Sequence, residues 1–165
     1  MRVMHRVLGL AMSGLMLNAC VRQAVATETS IPGAPAAPSV RPSDGRPAGA
    51  TTGRSVVVDF LAAVNAQDLQ QMAAMWGNAK GLAREQLKRE ELEKRLIIMQ
   101  CLMQHDTMRF AEERPRLSTG GRQEYLVELK KGNVTAQTSI MTVAGPGGRW
   151  LVEDVDVTKL REFCR

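Results

Sequence analysis

The sequence predicts an α+β domain over residues 54–165, with N-terminal helices packed on a curved, four-stranded antiparallel sheet. Two observations carry this. Apolar residues recur at helical spacing in the first half of the segment, and strict apolar–polar alternation broken by turn signals fills the second. Helices followed by a run of strands with short connections give an α+β layout rather than interleaved βαβ units.

The helices come first. In "RSVVVDFLAAVNAQD", Val56, Val57, Phe60, Leu61 and Val64 share one face. Asp68 begins a second short helix, with Leu69, Met72, Ala73 and Trp76 on one face and Gly77 as its stop. A long helix is predicted over residues 82–104. Glu85–Arg89, Glu90–Lys94 and Glu91–Arg95 are acid-before-base pairs four apart, the favoured order. Leu92, Leu96, Met99 and Met103 form its stripe, and the run from Ile97 to Met103 predicts burial on more than one face.

Four strands follow. The first covers 107–117, with Met108 and Phe110 on one face and Pro115 marking an edge or an end. The second, 122–131, sets Tyr125, Val127 and Leu129 against Glu124, Glu128 and Lys130. Lys131-Gly132-Asn133 turns into 134–143, and Gly145-Pro146-Gly147-Gly148 turns into 150–157. In that last strand Trp150 and Val152 hold one parity and Val155 and Val157 the other, so a bulge belongs near Glu153-Asp154. A short helix is expected over 158–163.

The front of the chain has another character. Arg2 and Arg6 precede the uncharged run Val7–Leu17, which has the length of a signal-peptide core and not the ~20 residues of a membrane span. Residues 1–19 are therefore read as an export signal. Leu17-Asn18-Ala19-Cys20 resembles the lipobox of bacterial lipoproteins, with Asn18 standing where a small residue is commoner. The resemblance implies that Cys20 becomes the first mature residue and carries fatty acyl chains, each worth ~0.8 kcal/mol per buried methylene as a membrane anchor. By the same resemblance, Val21 after the cysteine favours the outer membrane. The alternative is cleavage after Ala24-Val25-Ala26, which releases a soluble periplasmic protein.

Residues 20–53 then read as a tether. Five of the seven prolines lie there, among Ala, Ser, Thr and Gly, and such a segment buries too little apolar surface to offset its ordering entropy. Spaced prolines make it an extended spacer.

The formal charge of +5 weakens on division. Arg2 and Arg6 leave with the signal. Arg22, Arg41 and Arg46 exceed Glu28 and Asp44 in the tether, and the domain keeps a small, well-mixed excess. With few aromatics to stack bases, nucleic acid is set aside as a partner.

Of three cysteines, either cleavage leaves Cys101 and Cys164 as an even pair in an oxidising compartment, so a disulfide is expected between them. No Cys-x-x-Cys motif, phosphate loop or nucleophile elbow is present. His105-Asp106 and Asp154-x-Asp156 lack the spacing of a metal site, so no metal and no cofactor are expected.

The order of elements, with "VVVDFLAAVNAQDLQQMAAMWG" leading and "GRWLVEDVDV" closing, resembles the cystatin-like cone of the nuclear transport factor 2-like superfamily. It is most similar to the domains of that group found on bacterial lipoproteins. The resemblance implies a cone with a pocket, for which Phe60, Trp76, Met108, Tyr125 and Trp150 are the candidate lining, and self-association through the sheet. Enzymes of the group are isomerases, hydratases and epoxide hydrolases that use carboxylates and a tyrosine. Here Tyr125 has inward parity, while Glu124, Glu128, Asp154 and Asp156 have outward parity. The expectation is a lipid-anchored, periplasm-facing, non-catalytic domain that binds a small apolar ligand or an envelope protein. A small-molecule isomerase or hydratase is the alternative.

Overall fold

The computed structural model describes residues 48–165. The expected signal segment, Cys20, the alternative cleavage site at Ala24–Ala26 and the expected tether up to residue 47 lie outside them. No helix among the described residues is long and apolar enough to cross a membrane.

Helix α1 (Gly53–Asn65) starts at a reciprocal cap. Thr52 Oγ1 accepts from Ser55 N, and Ser55 Oγ accepts from Thr52 N. Its apolar stripe, Val56, Val57, Phe60, Leu61 and Val64, is fully buried. Helix α2 (Leu69–Met75) is capped by Asp68, whose carboxylate accepts from Gln70 N and Gln71 N. The link turns at Gln67, a non-glycine residue in the left-handed region. Both helices lie close to where the spacing places them.

The predicted long helix is two. Strands β1 (Gly77–Asn78) and β2 (Gly81–Leu82) make a small hairpin, and α3 (Ala83–Gln86) follows. Leu87 and Lys88 are extended before α4 (Arg89–Met103) begins. Tertiary contacts override helix propensity here. The Gln86 amide donates to Gly81 O and Asn78 Oδ1 and accepts from Asn78 Nδ2, tying α3 to the hairpin, while Leu87 packs against the main core. The break separates Glu85 from Arg89, which pairs with Glu93 instead at 2.8 Å; Arg95 pairs with Glu91 as the spacing predicts. The expected burial of α4 on several faces is also corrected. Leu92, Leu96 and Met103 are buried, but Ile97 and Ile98 are 53% and 57% exposed.

The remaining strands form one open antiparallel sheet in the order β3 (Thr107–Phe110), β5 (Arg122–Lys131), β6 (Val134–Ala144), β7 (Trp150–Val155). The predicted edge strand over 107–117 is broken, and β4 (Arg116–Ser118) pairs with β5 beyond the break. The sheet therefore has five strands, not four. Pro115 cannot donate to a ladder, and it closes the interruption. The long β5–β6 hairpin runs in register from Gln123–Thr142 to Lys131–Val134. Between β6 and β7, Met141 faces Asp154 and Thr142 faces Val152, leaving Glu153 as the extra residue of a bulge where the phase shift predicts one. The C-terminal segment forms a 3₁₀ turn over Arg161–Cys164 rather than a helix over 158–163.

The main core lies between the helices and the sheet face carrying Tyr125, Val127, Leu129, Ile140, Val152 and Val155. The chain entering this body is fastened to the edge of β7. Ala50 exchanges main-chain hydrogen bonds with Trp150, and Arg149 donates to Ala48 O and Gly49 O at 3.1 and 2.6 Å. Residues 48–53, read as tether, are thus part of the folded body.

Candidate functional site

The five residues expected to line a pocket lie in or against the packed core. Phe60 is fully buried on α1, Tyr125 is buried on β5, and Trp76, Met108 and Trp150 pack half-buried against the same cluster. None of them lines either of the two cavities described below. Tyr125 meets Phe110 edge-to-face at 5.7 Å, and the Arg54 guanidinium sits 3.7 Å over the Phe110 ring. The Tyr125 hydroxyl donates to Gln123 Oε1 at 2.7 Å. Burial raises the pKa of this phenol above its ordinary value, and the nearby positive charge of Arg54 opposes the rise. Gly53 closes over the group: a Cβ there would stand 2.7 Å from Thr142 Oγ1 and 2.9 Å from Tyr125 Oη. The five expected lining residues thus meet at the packed inner face and not at either cavity. Inward parity selects residues that point at the core, whether or not the core is hollow.

His105 and Asp106 are structural at the α4–β3 junction. His105 Nδ1 lies 2.8 Å from Met103 O, so that nitrogen carries the proton and donates. Its Nε2 then accepts from Asn65 Nδ2 at 3.3 Å, while its main-chain N–H donates to Asn65 Oδ1 at 3.1 Å. Asp106 Oδ2 accepts from Gly132 N at 2.7 Å, holding the β5–β6 turn. Among the described residues, no carboxylate is hydrogen-bonded to Tyr125 or to the His105 ring, and no group of His, Cys, Asp and Glu is placed to hold a metal ion. Asp156 accepts from Thr158 N and Oγ1, which lowers its pKa, with Lys159 adding to the effect. Asp154 lies opposite Met141 on the outer side of the sheet.

No known family model matches the chain, and no curated protein matches it. The site must be read from its own geometry.

Two surfaces stand out. The first is the outer face of the sheet, opposite the core. Alternation puts Glu124, Leu126 and Glu128 of β5 there beside Ser139 and Met141 of β6. Leu126 and Met141 are half-buried and belong to neither apolar cluster. Ion pairs bracket them. Arg109 grips Glu128 with two hydrogen bonds at 2.6 and 2.8 Å, and Arg122 reaches across β6 to the bulged Glu153. These carboxylates raise the pKa of both arginines, through hydrogen bonding first and charge second. Toward the β3–β4 edge Arg116 pairs with Glu112, and toward β7 Asp154 stands beside the Arg122–Glu153 pair, so the charges around the two apolar residues are mostly paired.

The second surface is a cleft of about 640 Å³ between α1 and α2. Ala62, Ala66 and Ala74 leave the space, Asp59, Asp68 and Gln71 line it, and Arg149 contributes a cationic side chain. Arg149 also borders a smaller cavity of about 310 Å³ beside Leu82 and Leu151. The sequence reading missed this cleft. Its one signal is the spacing of Ser55, Asp59, Ala62 and Ala66, the polar and small residues that α1 turns away from its apolar stripe.

The Cys101 and Cys164 sulfurs lie at disulfide distance, with Cα atoms 5.1 Å apart across 63 residues of sequence.

Proposed function

We propose that this chain is an exported protein held to the bacterial envelope, on its periplasmic face, by acyl chains on Cys20, and that its folded body is a binding module without catalysis. It recognises another protein through the outer face of the sheet. One observation carries the choice of surface: the inner face is packed with Phe60, Tyr125 and their neighbours, while the outer face keeps Leu126 and Met141 partly exposed among ion pairs. A centre of apolar side chains with a charged rim has the composition of a protein interface. The partner is an envelope protein or a second copy. The outer membrane is the expected seat of the anchor.

The test has two arms. Mass spectrometry of the native mature protein is expected to show acylation at Cys20; a mature N-terminus at Thr27 defeats the anchor. A photo-crosslinker at Met141 is expected to capture one defined partner or a second copy, and one at Asp59 to capture neither. The reverse result supports a second reading, in which the α1–α2 cleft is the binding site, its volume lying within the ~300–1,000 Å³ of ligand pockets.

A further inference from the structure

We propose that the Cys101–Cys164 bridge is a latch that thiols can open, and that residues 158–165 are the strap it holds. The strap sends two side chains, Leu160 and Phe163, fully into the main core. Its own hydrogen bonds are local, Leu160 N to Val157 O and Phe163 N to Leu160 O. Among the described residues, side chains outside it reach it at two points: Asp156 Oδ1 accepts from Thr158 N and Oγ1 at its start, and Lys131 Nζ donates to Phe163 O at 2.6 Å near its end. The bridge is thus the strongest fastening of a segment that carries part of the core.

The two sulfurs are not equivalent. Cys164 is exposed on its 3₁₀ turn, whereas Cys101 is half-buried on α4. An exposed disulfide exchanges more readily than a buried one, and access decides which sulfur is attacked. A thiolate arriving from solvent meets Cys164 Sγ first. Its attack forms a new S–S bond to Cys164 and breaks the bond to Cys101. The electron pair leaves with the Cys101 sulfur, which takes a proton from water. One disulfide is exchanged for another: the incoming thiol is oxidised into the adduct as Cys101 is reduced to a thiol, and nothing beyond that thiol is needed. Beyond its start at Thr158, the strap, now carrying the adduct, is held by two apolar side chains and Lys131. Its opening bares the apolar seat of Leu160 and Phe163 beside α4. This latch is independent of the partner surface on the sheet.

The probe is glutathione, a monothiol, at millimolar concentration on the full chain. Mass spectrometry locates the adduct, and amide hydrogen exchange follows the strap. The expected result is an adduct on Cys164 with Cys101 free, and exchange in residues 158–165 faster by at least ~10-fold while α1 and β5 stay protected. An adduct on Cys101, a folded protein whose bridge resists glutathione, or an adduct with an unchanged strap would each overturn the proposal. Cys164→Ser serves as a second arm. It should fold and show the same local exchange; if the whole fold is lost instead, the bridge is a global staple and not a latch.

Discussion

Asn65 at the end of α1 and His105 before β3 hold each other by two hydrogen bonds, the amide oxygen taking the His105 main-chain N–H and the amide nitrogen donating to the ring. These bonds join elements forty residues apart at a site where His105 is only 8% exposed. Removing the amide takes away the partner of one part-buried donor and one part-buried acceptor of His105. Asn65→Ala is expected to cost about 1–3 kcal/mol in urea denaturation. Gln70→Ala, on an exposed position of α2, should stay within ~0.5 kcal/mol. Equal effects from the two would remove the pair from any account of what holds α1 to the sheet.

Gly53→Ala sets two rules against each other. Alanine in a helix is favoured over glycine by up to ~1 kcal/mol. Here the added methyl would crowd Gln123 Oε1, Thr142 Oγ1 and Tyr125 Oη. Overpacking commonly costs ~1–3 kcal/mol, so the melting temperature should fall. Tyr125→Phe removes one of the three crowding oxygens, and the double variant should recover part of the loss. A rise in melting temperature for Gly53→Ala would mean that the three oxygens yield freely.

These two sites show what the sequence could and could not disclose. The α1 and α2 stripes were legible because period and burial coincide, and the bulge at Glu153 was legible as a change of parity. The break at Leu87-Lys88 was not. "LAREQLKREELEK" is a continuous run of good helix formers, and what interrupts it is Gln86 binding a hairpin earlier in the chain. Ile97 and Ile98 read as buried because apolarity carries no record of whether a neighbouring element arrives. The pocket is a related case. Parity put Tyr125 on the inner face correctly, but whether an inner face is hollow depends on volumes contributed by α1. Phe60→Ala is accordingly expected to cost ~3–5 kcal/mol as a core deletion. A folded variant of nearly unchanged stability would instead mark Phe60 as the wall of an open site.

Two titrations contribute to the limbs of the stability–pH curve. Burial raises the folded-state pKa of Tyr125 above its unfolded value of ~10, so its contribution is complete below ~pH 10 and is lost as pH rises through the folded value. Asp156 behaves oppositely. Thr158 lowers its folded-state pKa, so its contribution is complete above the unfolded value of ~3.9 and is lost as pH falls through the folded one. Tyr125→Phe should therefore flatten the alkaline limb of a stability–pH curve and leave the acid limb alone. Asp156→Asn should be less stable than the parent at neutral pH, with the gap closing below ~pH 4. Chemical denaturation across the range separates the two, and a variant that changes the other's limb contradicts the assignment.

The outer face makes the sharpest distinction between holding the fold and meeting a partner. Leu126 and Met141 lie outside both apolar clusters, so a charge placed on either should leave the core intact. Leu126→Asp and Met141→Asp are expected to leave the domain folded at a cost of ~1–2 kcal/mol, since both positions are half-buried and Met141 faces Glu124 and Asp154 across the strands. At the centre of a protein interface the same charge is desolvated without a partner and should weaken association at least tenfold. Arg109→Ala is the rim control. It breaks the exposed pair with Glu128, worth at most ~1 kcal/mol to the fold, and should alter the salt dependence and on-rate of association more than its final affinity. Association is read by sedimentation for a second copy and by crosslinking from Met141 for an envelope protein. If the Asp variants unfold the domain, the face is part of the core after all; if they fold and associate as the parent does, the partner sits elsewhere and the α1–α2 cleft becomes the surface to test.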